Sequence, residues 1–194
     1  MKKEDLFARL RNNTKVQYDM PEINVEGIKY KDTYAQFVNA SKASGANVVE
    51  ASDYNNLNEL ITQLYPKAEV FASNLPYISL PGLNPDMVTQ AAELNGTDVG
   101  VVEGTVGVAE NACVWVPQTM REKAVCFISE YLVIVLKRSC IVNNMHEAYE
   151  RINFDERYNF GTFISGPSKT ADIEQALVFG AQAAKGVTVV VIDK

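Results

Sequence analysis

The run Tyr131-Leu-Val-Ile-Val-Leu136 is one of the two longest apolar stretches of the chain, and Val187-Thr-Val-Val-Val-Ile192 is the other. Each has the length of a buried strand and falls well short of the roughly 20 apolar residues that a membrane-spanning helix needs. We therefore expect two buried strands here and no membrane-spanning segment.

Outward from these runs, strand patterns and helix patterns alternate along the chain. Helices are predicted over residues 34–41, over 57–64 with Ser52 or Asp53 as the cap, from Asn84-Pro85-Asp86, from Asn143 or Asn144, and over 173–184. Further strands are predicted over residues 47–50, 69–72, 99–102, 108–116 and 160–164, and residues 117–129 as a loop leading into a short helix. Because parallel strands need crossover connections, the alternation predicts a three-layer α/β domain with a mostly parallel sheet. Ligands of such sheets usually bind at the carboxyl ends of strands.

The pattern predicts one main domain. Residues 30–194 are interpreted as a single α/β domain, and residues 1–29 as an amino-terminal helix and extended segment packed on it. Basic residues surround Leu6, Phe7 and Leu10 in that helix, so a membrane-surface helix is the alternative.

Charge and cysteine content exclude several classes of function. The formal net charge is −6, which disfavours binding to nucleic acid or to an anionic membrane. The three cysteines, Cys113, Cys126 and Cys140, are widely spaced in apolar segments, which suits reduced thiols in the cytoplasm. No clustered ligands for a metal or an iron–sulfur cluster occur, and the first residues lack the apolar stretch of a signal peptide.

The most specific stretch is Phe163-Ile-Ser-Gly-Pro-Ser-Lys-Thr-Ala-Asp-Ile-Glu174. It is interpreted as a strand, a tight turn at Gly166-Pro167, and the amino terminus of a helix. Such a terminus can hold a carboxylate or phosphate, with hydroxyls from Ser168 and Thr170 and charge from Lys169. The alternative is that these residues only cap the helix.

This stretch resembles the carboxyl-terminal signature of the lactate-utilization protein C family, the LUD-domain family, which reads Gly-Pro-Ser-x-Thr-(Ala/Ser)-Asp-Ile-Glu. The matching residues are Gly166, Pro167, Ser168, Thr170, Ala171, Asp172, Ile173 and Glu174. Upstream, Val99–Val116 is similar to the family segment centred on Ile-Ala-Glu-(Thr/Ser)-Gly, and Arg121 matches an arginine before the next strand. The resemblance covers about residues 95–194.

The resemblance implies a fold similar to the sugar-phosphate isomerase and CoA-transferase superfamily. It also implies a part in the oxidation of L-lactate to pyruvate beside iron–sulfur partner proteins, with the iron–sulfur clusters only in those partners and no cofactor in this chain. The expected ligand, from the predicted helix terminus, is a small carboxylate or a phosphorylated metabolite.

Two departures from the family pattern bear on the site. The family's Glu-(Thr/Ser)-Gly is Glu110-Asn111-Ala112 here, and the loss of glycine restricts the approach of a ligand to the backbone. The family's Gly-x-His-Gly-Pro-Arg is replaced by Gly180-Ala-Gln-Ala-Ala-Lys185, so chemistry that needs the histidine is absent.

Glu110 is the candidate catalytic residue, because burial in an apolar stretch would raise the pKa of its carboxyl group toward that of a general base. Its alternative role is a structural acid paired with Arg121 or with backbone N–H groups. The candidate ligand-binding residues are Asn111, Arg121, Gly166, Ser168, Lys169, Thr170 and Asp172, and no metal site is expected. The single histidine, His146, is expected on the surface, and Cys113 and Cys126 are expected to be structural thiols.

Three functions remain open from the sequence. The first is a non-redox subunit or accessory protein of lactate oxidation. It would bind a small carboxylate, or its partner proteins, in a cleft at the carboxyl ends of the strands near Glu110, Ser168 and Thr170. The second is a stand-alone enzyme of the isomerase or acyl-transfer type, with Glu110 as base or nucleophile. The third is a non-catalytic regulatory module that binds a small metabolite.

Overall fold

A computed structural model of the chain describes residues 2–13, 26–170 and 178–193. The helices of this part are α1 (Lys3–Asn13), α2 (Thr33–Ala43), α3 (Leu57–Leu64), α4 (Val125–Ile128) and α5 (Met145–Arg151). The strands are β1 (Asn47–Ala51), β2 (Phe71–Ala72), β3 (Gly82–Leu83), β4 (Val99–Gly104), β5 (Val106–Val108), β6 (Val114–Pro117), β7 (Tyr131–Lys137), β8 (Ile141–Val142), β9 (Gly161–Ile164), β10 (Lys169–Thr170), β11 (Val178–Phe179) and β12 (Gly186–Ile192). None of the described helices is both long enough and apolar enough to cross a bilayer.

Six parallel strands in the order β1-β12-β7-β4-β2-β3 form the main sheet. The two apolar runs of the sequence are its central strands: in β7, Ile134 pairs with Val102 of β4 on one side and with Val189 of β12 on the other. A parallel sheet must be covered on both faces, which explains why these strands are apolar at nearly every position.

The two faces of the main sheet are buried by different elements. On one face, Leu57 and Ile61 of α3 pack on side chains such as Val133. On the other face, Phe37 of α2 and Val125 of α4 pack with Ile134 and its neighbours. The predicted three-layer α/β domain with a mostly parallel sheet is confirmed.

A second, smaller sheet completes the covering of the α2 face. Its four strands run in the order β8-β5-β6-β9, with antiparallel β5–β6 and β6–β9 pairs. A Cβ atom at Gly104 would lie 2.4 Å from Cγ1 of Val114 and 3.0 Å from Cγ2 of Ile134, so glycine permits β6 to lie close against the main sheet. The sequence pattern indicated β structure here but not a separate sheet.

The helix that the sequence predicts over residues 173–184 is wrong where it can be compared. Val178–Phe179 pairs antiparallel with Lys169–Thr170, and Gly180 has a left-handed φ of 77°. The N–H of Gly180 donates to the carbonyl of Ser168, and the carbonyl of Ala184 accepts from the N–H of Ser168. The backbone groups of Gly180 and Ala184 therefore bond to Ser168 and not to residues of the predicted helix. Residues 173–177 lie outside the described part.

Two smaller helix predictions also fail, because short polar side chains form local turns. Asn84-Pro85-Asp86 does not start a helix, since Oδ1 of Asn84 accepts from the N–H of Asp86 at 2.8 Å in a turn. The cap of α3 is Asn56 rather than Ser52 or Asp53. The helix start at Asn144 is confirmed, with its Oδ1 accepting from the N–H of Glu147 at 3.1 Å.

The amino-terminal helix is present as α1, and none of its residues is buried. Leu6, Phe7 and Leu10 are 42%, 45% and 54% exposed. Its packing on the domain stays a prediction, and most of the extended segment that was predicted to follow it lies outside the described residues.

Replacing Ile134 by alanine tests the central position of β7. Ile134 is completely buried, so Ile134→Ala removes packing on the face covered by α2 and α4 and leaves a cavity. We expect the free energy of unfolding, measured by urea denaturation, to fall by about 2–5 kcal/mol. Met87→Ala is the control, because Met87 is 78% exposed, and it should change stability by less than about 0.5 kcal/mol.

Asp98 gives the protein a pH-dependent contribution to stability. Its Oδ2 accepts hydrogen bonds from the N–H groups of Val70 at 2.9 Å and Glu69 at 2.8 Å, and these bonds lower the pKa of the carboxyl group. Because the pKa is lower in the folded state, the stabilisation is present above the ordinary aspartate pKa and disappears as the pH falls through the folded-state value.

We expect Asp98→Asn to lower the free energy of unfolding at pH 7 by about 1 kcal/mol and to have a smaller effect at pH 3. Denaturation curves across this pH range measure both effects. Glu69→Gln is the control, because it removes a neighbouring exposed carboxylate that accepts neither of these two hydrogen bonds. It should not reproduce the two effects. An Asp98→Asn effect that is independent of pH would contradict the assignment.

Candidate functional site

Glu110 lies at the tip of the hairpin formed by β5 and β6, and its side chain is exposed. Its N–H donates to the carbonyl of Asn143 at 3.0 Å, and its Oε2 accepts from the N–H of Met145 at 3.1 Å. The carboxylate therefore binds a free N–H in the first turn of α5, where negative charge is favourable. The apolar surroundings expected for a general base are not found, and its catalytic role stays a prediction.

Asn111 and Ala112 shape the hairpin tip. Ala112 is buried and has a left-handed φ of 60°, which L-residues rarely adopt. This backbone conformation is a physical reason for the glycine of the family pattern at this position, and alanine retains the conformation at a cost in strain. Oδ1 of Asn111 accepts from the N–H of Cys113 at 3.1 Å.

The hairpin tip contacts the signature stretch, which the structure describes over residues 163–170, through one hydrogen bond. The hydroxyl of Ser165 donates to the carbonyl of Asn111 at 2.8 Å, joining residues 54 positions apart. The thiol of Cys113 lies beside this contact. Burial raises the pKa of Cys113, and the nearby Glu110 carboxylate raises it further, while a hydrogen bond with Ser165 lowers it. Cys113 is thus a protonated thiol rather than an activated nucleophile.

The signature stretch is seated against the start of β1. Gly166 has a left-handed φ of 67°, and a Cβ atom there would lie 2.5 Å from the carbonyl oxygen of Ser44. The Lys169 ammonium donates to the same carbonyl oxygen. Since Ser44 precedes β1, the stretch lies at the amino-terminal edge of the main sheet. The expected position at the carboxyl ends of the strands is therefore wrong for this stretch.

A cavity of about 260 Å³ lies beside the signature stretch. Its polar wall is formed by Thr162, Ser165, Gly166 and Ser168, and its apolar wall includes Cys126. Burial raises the pKa of Cys126 to about 12, so its thiol behaves as an apolar group at neutral pH. The structure thus gathers Asn111, Gly166 and Ser168 near one small cavity, with Glu110 at the adjacent tip.

One sequence-predicted residue, Arg121, does not join this group, and the side chains of two others lie outside the described residues. The N–H of Arg121 donates to Oδ1 of Asp86 at 2.7 Å, beyond the end of the β5–β6 hairpin opposite to Glu110. The proposed pairing of Arg121 with Glu110 is therefore wrong. Thr170 contributes its backbone to β10, but its side chain and the whole of Asp172 lie outside the described residues.

The carboxyl-terminal edge of the sheet carries a charged network that sequence reasoning missed. Nη2 of Arg138 lies 3.1 Å from Oε2 of Glu50, its Nε contacts Asp193, and its guanidinium lies 3.7 Å from the ring centre of Tyr34. The hydroxyl of Tyr34 donates to Oε1 of Glu50 at 2.7 Å, and burial together with this carboxylate raises the pKa of Tyr34 to about 12. The network joins the ends of β1, β7 and β12.

A second missed group lies where β2 and β4 end. The rings of Tyr54 and Tyr77 are 4.7 Å apart, and the Tyr77 hydroxyl is buried without a well-formed hydrogen bond. Burial, followed by the carboxylate of Glu103, raises the pKa of Tyr77 well above its ordinary value. Burial raises the pKa of Tyr54, and the positive charge of Lys137 partly opposes this rise.

This second group lies at a topological switch point. The connection that leaves β2 packs on the α3 face through Leu75. The connection from β4 passes to the other face, where Val114 and Val116 of β6 pack in the same cluster as Ile134. A crevice is expected where neighbouring connections part in this way. In the sequence, a charged residue stands at the end of each of four strand patterns: Glu50, Glu103, Lys137 and Asp193. These charges at strand ends were the signal that could have identified both groups.

The described residues contain no group of three or more His, Cys, Asp or Glu side chains placed to bind a metal ion. His146 is exposed, as expected.

Comparisons with known proteins agree with the architecture. A family model for the LUD domain matches residues 86–192. A solved structure described as a DUF162 family protein from Deinococcus radiodurans matches with a TM-score of 0.63 and 15% sequence identity, over 86% of this chain and 99% of that one. None of the curated proteins matches the sequence.

Gly166→Ala tests the seating of the signature stretch. We expect a loss of at least about 2 kcal/mol in the free energy of unfolding, because strain at a left-handed φ adds to the collision with Ser44. Gly96→Ala is a matched control, since Gly96 has a φ of 81° but no atom within 4 Å of an added Cβ. It should lose only about 1 kcal/mol. Equal losses for the two variants would show that the contact with Ser44 is unimportant.

Proposed function

Because the chain belongs to the LUD-domain family, we propose that it is a non-redox subunit or accessory protein in the oxidation of L-lactate to pyruvate. In this proposal it works in the cytoplasm beside iron–sulfur partner proteins, which accept the two electrons removed from lactate. Its own part is to bind a small carboxylate. The three free cysteines support a reducing compartment.

The observation that carries the proposal is the meeting of two distant segments at one cavity. The hairpin tip and the signature stretch, both within the family match, are joined by the hydrogen bond from Ser165 to Asn111. Folding thus holds Ser165, Gly166 and Ser168 beside the cavity in a fixed arrangement, which is how binding sites are usually built.

The size and chemistry of the cavity suit a small hydroxy acid. Lactate has six non-hydrogen atoms and fills roughly the space of three or four water molecules, on the order of 100 Å³. A cavity of about 260 Å³ can hold it with accompanying water. Thr162 and Ser168 offer hydroxyl donors to the carboxylate of such a ligand, and the Ser165 oxygen, whose proton is donated to Asn111, can accept from the ligand hydroxyl.

The charge of the cavity sets the expected strength of binding. No cationic side chain among the described residues lines it, and the ammonium of Lys169 is engaged by the carbonyl of Ser44. A carboxylate would therefore be held by neutral donors alone, which are weaker than charged ones. We expect millimolar affinity in the isolated chain and tighter binding when a partner protein covers the cavity.

A second candidate function is favoured by the group around Glu103. A carboxylate close to a buried tyrosine hydroxyl, with Lys137 nearby, could serve proton transfer in an enzyme of the isomerase or acyl-transfer type. Glu103, rather than the exposed Glu110, would then be the base or nucleophile. Turnover of a sugar phosphate or a CoA ester by the isolated chain, abolished by Glu103→Gln, would favour this candidate.

Binding of lactate and pyruvate to the isolated full chain tests the preferred function. We expect either compound to shift the NMR signals of residues around Ser165–Ser168. Ser168→Ala should weaken binding by about three- to tenfold, since it removes one hydroxyl hydrogen bond. Ser79→Ala, a serine outside the cavity, is the control and should bind normally.

Affinity purification tests the proposed partners. The tagged chain, isolated from its native cell grown with and without lactate, should carry iron–sulfur proteins identified by mass spectrometry. If no iron–sulfur protein is recovered and both Ser168→Ala and Glu110→Gln leave ligand binding unchanged, the proposed function and its site are both wrong.

A further inference from the structure

A further cavity in the described part of the chain is separate from the signature stretch. It has a volume of about 510 Å³ and lies at the amino-terminal edge of the main sheet, between the end of α3 and the starts of β4 and β7. This volume is within the range of pockets that bind drug-sized ligands. Its lining combines two tyrosines, two lysines and two carboxylates: Tyr65, Tyr131, Lys67, Lys185, Asp98 and Glu130.

Tyr65 and Tyr131 form an aromatic wall. Their ring centres are 5.1 Å apart with planes tilted by 46°. The Tyr65 hydroxyl shares a hydrogen bond of 2.7 Å with the hydroxyl of Thr188, which fixes its ring. A Cβ atom at Gly186 would lie 2.8 Å from the ring of Tyr131, so glycine leaves room for that ring on the surface of β12. Such a wall suits a planar ring.

Of the two lysines that line the cavity, one is paired with a carboxylate and the other is not. Lys185 is paired with Glu130, and its ammonium lies 4.8 Å from the centre of the Tyr131 ring. Lys67, in contrast, forms no ion pair and no hydrogen bond with any described residue. It is the available cation of the cavity and would attract an anionic group.

Asp98 offers the complementary acceptor. Its Oδ2 is occupied by the N–H groups of Glu69 and Val70, whereas its Oδ1 makes no hydrogen bond within the described structure. Two backbone donors offset part of its negative charge, so the free oxygen can accept from a neutral hydroxyl without excluding an anion at Lys67.

We propose that this cavity binds a nucleoside monophosphate or a ligand with the same three features: a planar ring against Tyr65 and Tyr131, hydroxyls donating to Asp98, and one anionic group at Lys67. This goes beyond the proposed function, since the cavity is distinct from the one beside Ser168 and does not depend on lactate.

Calorimetric titration of the full chain with AMP tests the proposal. Adenosine and inorganic phosphate, tested separately, report the contributions of ring and anion. We expect AMP to bind more tightly than either component. Lys67→Ala should weaken AMP binding by roughly three- to tenfold, and Lys67→Glu should weaken it further, while adenosine binding changes little. Because Lys67 is exposed, both variants should fold.

Lys31→Ala and Lys31→Glu are matched controls, since Lys31 is also exposed and does not line the cavity. They should leave AMP binding unchanged. Phosphate binding as tightly as AMP would show a simple anion site and would overturn the role of the aromatic wall. Absence of AMP binding, or AMP binding that Lys67→Glu does not weaken, would overturn the proposal without affecting the assignment of lactate to the other cavity.

Discussion

β7 is hydrogen-bonded to β4 on one side and to β12 on the other, and its residues Leu132 to Leu136 are buried. Because every side chain of this stretch is buried, covering elements are needed on both faces of the sheet. Helix α3 supplies one layer, and α2, α4 and the small second sheet supply the other. The position of each candidate site follows from this requirement, since each lies where a covering segment meets an edge of the main sheet.

The second sheet explains why the family motifs lie away from the usual site of a parallel sheet. Strand β9 lies on the face of the main sheet that α2 also covers. The chain then reaches Gly166 beside Ser44, at the start of β1. The hairpin tip at Asn111 is held beside the same segment by Ser165. Because β12 is parallel to β7, the chain has to return to the amino-terminal edge before β12 begins, and β9 of the second sheet makes this return.

Local patterns in the sequence were sufficient for elements whose bonds are local. Helix α3 with its apolar spacing, the start of α5 at Asn144 and the strands β7 and β12 could be predicted because periodicity and capping reflect near neighbours. The helix over residues 173–184 could not be corrected from sequence, because Gly180 and Ala184 bond to Ser168. The contact between Asn111 and Ser165 spans 54 residues, so the sequence could nominate both segments without showing that they meet.

The two edges of the main sheet differ in how their charges are satisfied, and this difference decides what each edge can bind. At the carboxyl-terminal edge, Arg138 is shared between Glu50 and Asp193 and is covered by Tyr34. A ligand that bound at Arg138 would have to displace these ion pairs, and removing one partner of such a network leaves a charge unpaired. At the amino-terminal edge, Lys67 and one oxygen of Asp98 remain available beside the cavity of about 510 Å³. A ligand bound to Lys67 and to this oxygen of Asp98 would add interactions without breaking an ion pair of either residue, which is why the two proposed binding sites are placed at the edge opposite to the usual one.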